Sequence, residues 1–254
     1  MLKWLIPAFL LIGALAAALF YWNGDEPLKV TRYQVTQSCR YYTAHLEVDY
    51  PVGGGTDVVQ GLRQWLKDSL HCEGDIGSGE NPIEACFGAC HDPNMEELRE
   101  EYGEYADELG MSYDSTYVVF LSETKSTVSY QVSIYGYNYG AAHGWYTDPI
   151  FVIVKGTSRP LTFEDIFAVS RNKIVDYIDD LSKTEPSNKQ DCPAIGINEI
   201  DYVYPTREGL SFKWHTYAVN CGACGNVVFT VPYERFKGMF TPKFEKLLPE
   251  FYPE

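Results

Sequence analysis

The stretch Tyr137-Asn138-Tyr139-Gly140-Ala141-Ala142-His143-Gly144 decides how this chain folds. It follows an alternating run, Thr127 to Tyr135, and precedes a second apolar run, Pro149 to Val154. Alternation predicts a half-buried strand in the first run, and the second also reads as a strand. Two glycines and two alanines leave almost no side chain between them. Such a segment either lets backbone pack closely or displays its one large polar group, His143.

Working toward the N-terminus, Ser115 to Ser122 reads as a strand joined to Thr127–Tyr137 by a tight turn at Glu123 to Ser126. Lys29 to Val35 and Tyr42 to Val48 form a further hairpin-like pair, closed by Pro51-Val52-Gly53-Gly54-Gly55. After it, Val58, Leu62, Trp65, Leu66 and Leu70 recur at helical spacing, with Thr56 or Asp57 as the expected cap. Glu73 to Asn81 reads as loop, and Met95 to Leu109 as a strongly acidic helix. That acidic helix is either a solvated face or a docking surface for a basic protein.

Working toward the C-terminus, a turn at Lys155 to Ser158 leads into Leu161-Thr162-Phe163-Glu164-Asp165-Ile166-Phe167. Thr162 is placed as an N-cap, with Asp165 at the capping-box position. Ile174, Ile178 and Leu181 continue that register. Tyr202–Pro205, a turn at Thr206 to Gly209, and Leu210 to Val219 predict a hairpin, and Val227 to Pro232 a last strand. Tyr233 to Leu248 reads as a closing helix interrupted by Gly238 and Thr241-Pro242. Short turns between neighbouring strands predict mainly antiparallel sheets, an α+β class with helices packed on one face.

Composition narrows the function. The formal net charge of −15 excludes nucleic acid as a natural partner, because phosphate recognition needs clustered Lys and Arg. A cationic partner suits it. Trp4 to Trp22 is apolar without a charged residue, with Lys3 before it and Asp25 and Glu26 after it. This predicts a single-pass membrane anchor with the remainder outside the cytoplasm. A cleaved signal, with sites such as Ala14-Leu15-Ala16, is the rival reading, and leaves the protein secreted. Either way residues 25 onward are exported, and seven cysteines in an exported chain favour disulfides. Cys221-Gly222-Ala223-Cys224 is a CxxC, and Cys86 and Cys90 form a wider pair. These four are disulfide candidates. A four-cysteine zinc site or a thiol-exchange module are the alternatives.

No nucleophile motif accompanies His143. Ser133 or Asp148 would have to be recruited to make it catalytic. No catalytic residue, cofactor or metal ligand is therefore assigned. His143 is read as a joint between subdomains or as part of a recognition face.

These residues carry a resemblance. The run Tyr139 to Gly144, the later Leu161 to Phe167, then Gly209-Leu210-Ser211-Phe212, Tyr217 and Val231-Pro232-Tyr233-Glu234 resemble bacterial exported proteins with the DUF4163/DUF3298 pair. The resemblance implies a segment 1–24 that anchors or exports, a DUF4163-like subdomain at 28–144 and a DUF3298-like subdomain at 145–254. It implies Tyr139, His143, Trp145 and Tyr217 as ligand-binding or subdomain-joint residues. Members of that family include the lysozyme-binding ectodomain of the RsiV-type anti-sigma factor and modules beside a peptidoglycan deacetylase. The resemblance therefore implies a non-catalytic envelope ectodomain that binds a cationic protein such as lysozyme, or a cell-wall component. An envelope hydrolase acting on glycan or ester, with His143 as base, is the alternative. At Cys221 to Cys224 this chain departs from the family pattern.

Overall fold

The computed structural model describes residues 26–72, 74, 76–77, 80–87, 95–104, 112–138, 141–184, 196–216, 218–219 and 225–252. The segment 1–24 lies outside these residues, as do Tyr139, Tyr217, Cys90, Cys221 and Cys224.

The first sheet holds β1 (Lys29–Ser38), β2 (Tyr42–Gly53), β3 (Ser112–Glu123), β4 (Thr127–Tyr137), β5 (Trp145–Thr147) and β6 (Ile150–Val154). Its order is β1-β2-β3-β4-β5, with β6 also on β4. Every pairing is antiparallel except β2 with β3. A parallel neighbour needs a crossover, and helix α1 (Thr56–Ser69) lies in the connection between β2 and β3. Leu62, Trp65 and Leu66 face the sheet, as the helical spacing requires. The Trp65 ring sits 5.3 Å from Tyr130 and 5.7 Å from Phe151. Gly55 takes the N-cap position instead of Thr56 or Asp57, and Asp57 falls in the first turn, where its charge suits the helix dipole. The acidic helix α2 is described as Met95–Tyr102.

β5 and β6 are one edge strand. Thr147 pairs with Ile134 and Ile150 with Gln131, so the register does not change across the gap. The Val132 amide donates to the Pro149 carbonyl at 2.9 Å. Pro149 has no N–H to give, which an edge tolerates. The first sheet thus keeps the chain through Val154.

The second sheet is β7 (Tyr202–Pro205), β8 (Leu210–Trp214) and β9 (Val227–Val231), antiparallel in that order. Gly209 closes the β7–β8 hairpin at φ +150°, and a Cβ there would stand 2.1 Å from the Val231 carbonyl oxygen. Helices α3 (Phe163–Ile166) and α4 (Arg171–Thr184) precede this sheet. The capping box forms as expected between Thr162 and Asp165. The helix that the sequence ran on from it is two: Phe167 leaves α3 extended and bridges to Phe240 before α4 begins. The closing segment is a 3-10 turn (Tyr233–Phe236) followed by α5 (Pro242–Glu245) and α6 (Leu248–Phe251). Gly238 at φ +78° and Pro242 at the start of α5 account for the breaks.

Each sheet has its own core. Leu46, Val48, Tyr50, Trp65, Val118 and Tyr130 belong to the first, and Ile174, Ile178, Phe212, Trp214, Phe236 and Phe244 to the second. β6 feeds both: Val152 packs in the second core and Ile153 in the first. This two-sided burial is why Ile150–Val154 reads as an unbroken apolar run.

Candidate functional site

The described residues of the quoted stretch lie at a close-packed corner of the first sheet. Gly136 pairs with Trp145, and a Cβ on Gly136 would lie 2.3 Å from the indole Cε2 and Nε1. The indole therefore lies directly on that glycine. Gly144 plays the same part for Tyr135, whose Oη would meet its Cβ at 2.5 Å. The Tyr137 hydroxyl donates to the Ala141 carbonyl at 3.1 Å, and the Ala141 amide to the Asn138 carbonyl at 3.1 Å, closing the turn. His143 sits exposed beside it, with Nδ1 3.1 Å from the Gly144 carbonyl oxygen.

Three large rings stay open to solvent on this corner: Trp145 is 49% exposed, Tyr146 43% and Tyr135 39%. Alternation puts Trp145 on the same face as α1, and Tyr135 and Tyr146 on the opposite face. Tyr113 extends the latter group, its ring 6.1 Å from that of Tyr135.

On the α1 face, a pocket of about 180 Å³ opens beyond the end of the helix. Its apolar walls include Leu46, Leu70, Phe87, Ile134 and Trp145, and Asp114 lies among them. The Tyr42 hydroxyl donates to the Asp114 carboxylate at 2.8 Å. Burial, then this hydrogen bond to a carboxylate, pushes the Tyr42 phenol up to about 12. The wall bearing Phe87 is tied to the end of α1 by a disulfide between Cys72 and Cys86. This pairing removes Cys86 from a four-cysteine zinc set, since a bridged sulfur is not a thiolate ligand. Cys39 is also disulfide-bonded. Among the described residues, no three His, Cys, Asp or Glu side chains come together as a metal site.

Two polar clusters went unread in the sequence. Asp148, considered there only as a partner for His143, instead joins the two sheets. Its carboxylate pairs with the Lys213 ammonium and accepts from Asn226 Nδ2 and from Gln131 Nε2, the last at 3.2 Å. The Lys213 ammonium also donates to the Asp148 carbonyl at 2.8 Å. Lys213 is buried in the middle of the second sheet. The second cluster is His215 with Asp201, Nδ1 to Oδ2 at 2.5 Å, while the His215 amide donates to the same oxygen at 2.9 Å. These residues flank the β7–β8 hairpin, so pairing that hairpin from its Thr206–Gly209 turn is the signal that would have brought them together.

No protein-family model matches this sequence, and no curated protein matches it. Among solved structures, it is similar to a member of the DUF3298 family from Bacteroides fragilis NCTC 9343. That likeness has a TM-score of 0.66 and 17% identity, over 90% of this chain and 99% of the other. A DUF3298 family protein from Pseudomonas aeruginosa PAO1 aligns at a TM-score of 0.49 and 13% identity, over 86% of this chain and 96% of the other. From the Bacteroides likeness, the chain has the fold of the DUF3298 family.

Proposed function

We propose that this chain is a non-catalytic ectodomain of the bacterial cell envelope that binds a cationic protein of the lysozyme type. The observation that carries the reading is the aromatic corner formed by Tyr135, Trp145 and Tyr146, exposed on a protein of net charge −15. Exposed aromatics that are already held in place by their neighbours supply contact area at little entropic cost, which is why they recur as interface anchors. A net negative surface steers a basic partner toward them. The sequence resemblance to lysozyme-binding ectodomains supports the same choice of partner. In this reading the apolar segment Trp4 to Trp22 anchors the chain and the two sheets stand outside the cytoplasm.

The test is binding of the full chain to hen egg-white lysozyme across a salt titration. Affinity that is measurable at low ionic strength and falls steadily as salt rises is the expected result. Absence of binding at low salt refutes the lysozyme reading. Binding to isolated peptidoglycan in its place points to a wall-glycan receptor.

A further inference from the structure

Four residues stand in one row across four strands. Ala44 of β2 pairs with Asp114 of β3, Asp114 with Gly136 of β4, and Gly136 with Trp145 of β5. Cross-strand partners share a face, so all four point to the α1 side. Ala44 and Gly136, on either side of Asp114, are too small to cover it. The Trp145 indole leans over Gly136, toward the carboxylate one strand further in. The next row, Leu46, Thr116, Ile134 and Thr147, supplies an adjoining floor that is apolar at Leu46 and Ile134.

The result is a pocket of about 180 Å³ with an aliphatic floor, an indole at its rim and a carboxylate inside. Asp114 has one hydrogen-bond donor among the described residues, the Tyr42 hydroxyl, and a carboxylate accepts several. Leu70 and Phe87 close the sides. This lining is amphipathic in a particular sense. An aliphatic stem would lie along Leu46, Leu70 and Ile134, and a positive head would meet both Asp114 and the indole face. A neutral apolar group would strand the carboxylate, and an anion would be repelled by it.

We infer that this pocket receives a single arginine or lysine side chain of the bound partner, held between the Asp114 carboxylate and the Trp145 indole. The inference rests on the binding role proposed above and names its anchor point. Charge complementarity between a chain of net charge −15 and a basic partner selects this occupant over a sugar or a fatty chain.

The experiment uses the full chain with its tryptophan indoles labelled with nitrogen-15. N-acetyl-arginine amide, N-acetyl-leucine amide and N-acetylglucosamine are titrated separately, and the Trp145 signal is assigned by its loss in Trp145→Phe. The arginine amide is expected to shift the Trp145 indole resonance in a saturable way, while the leucine amide does not. Asp114→Asn keeps an acceptor for Tyr42 and removes the charge, so it is expected to weaken the arginine titration at least about tenfold.

No Trp145 shift with the arginine amide overturns the proposal. So does an unchanged titration in Asp114→Asn, or a shift by N-acetylglucosamine in preference to the cation. Lysozyme binding separates the two readings. If the full chain binds lysozyme and Asp114→Asn binds it equally well, the pocket assignment fails and the binding role stands. If the arginine titration succeeds and lysozyme does not bind, the lysozyme partner fails and the cation pocket stands.

Discussion

Replacing Asp148 with alanine should be among the most damaging single changes in the protein. The side chain of Lys213 is 6% exposed, so its ammonium has given up nearly all its water. Two acceptors compensate: the Asp148 carboxylate and, at 2.8 Å, the Asp148 carbonyl. Asp148→Ala leaves only the neutral carbonyl, and removing one partner of a buried pair costs about 3–5 kcal/mol. Because that carbonyl remains, the lower end, about 3 kcal/mol, is expected. For a chain of this size this corresponds to a fall of about 6–12 °C in melting temperature.

The reverse change is expected to be milder. Lys213→Met removes the buried charge and leaves Asp148 accepting from Asn226 and Gln131 in a site that is 18% exposed. A cost of about 1 kcal/mol or less follows. The double variant should therefore be more stable than Asp148→Ala alone, with a coupling of about 2 kcal/mol. Thermal and urea unfolding of the four proteins, followed by near-ultraviolet circular dichroism, measures all these terms. The reasoning fails if Asp148→Ala lies within about 1 kcal/mol of the parent, or if Lys213→Met is the more damaging of the two.

Three further outcomes are expected. Gly209→Ala should cost about 3 kcal/mol or more, because it combines a strained φ of +150° with a Cβ 2.1 Å from backbone, and chemical denaturation reads this directly. Asp165 is held well below the usual carboxylate range by Arg159 first, then by the Thr162 amide and Lys243, against the opposing effect of burial. Since the folded value is depressed, its stabilisation is complete above the unfolded value of about 4 and is lost as pH falls toward the folded one. The stability gap between the parent and Asp165→Asn should be constant at neutral pH and shrink below about pH 4; a gap that widens there contradicts the assignment. Finally, because β6 packs in both cores, amides of β4 and β8 should exchange through one global opening, with protection free energies within about 1 kcal/mol of each other.

What was legible in the sequence was whatever is local. The Thr162–Asp165 box spans three residues, and the Thr206–Gly209 turn fixes its own hairpin, so both could be read directly. The parallel pairing of β2 with β3 could not, because its partners are separated by a helix and a long connection that carry no register information. The sequence offers Trp145 as a ligand-binding or subdomain-joint candidate, but not Asp114. In the chain Asp114 is one polar residue in Ser112-Tyr113-Asp114-Ser115, and only cross-strand pairing sets it beside an indole. Lys213 misleads for the same reason: a charged residue in Leu210–Trp214 reads as solvent-facing, yet its partner lies on a different sheet.

The edge strand links the two parts of the proposed function physically. β5 and β6 hold one register along β4, with Asp148-Pro149 between them. On the β6 side, Val152 and Ile153 are locked into two separate cores, and Asp148 is clamped by Lys213. Before it lie only three paired residues, with Trp145 at their far end. A strand this short on a sheet edge has little stability of its own. The position of Trp145 must then come from its seat on Gly136 and from the rigid segment at Asp148, three residues away in sequence. A ring placed at one end of a strand whose other end is fixed in two cores is held in position without being buried. That is the arrangement a recognition surface requires, because preorganisation lowers the entropic cost of binding while the ring's exposed face stays available. It also explains the glycines at 136 and 144. Larger residues at Gly136 or Gly144 would lift Trp145 and Tyr135 off the backbone that holds them, so the small side chains serve the exposed rings and not His143.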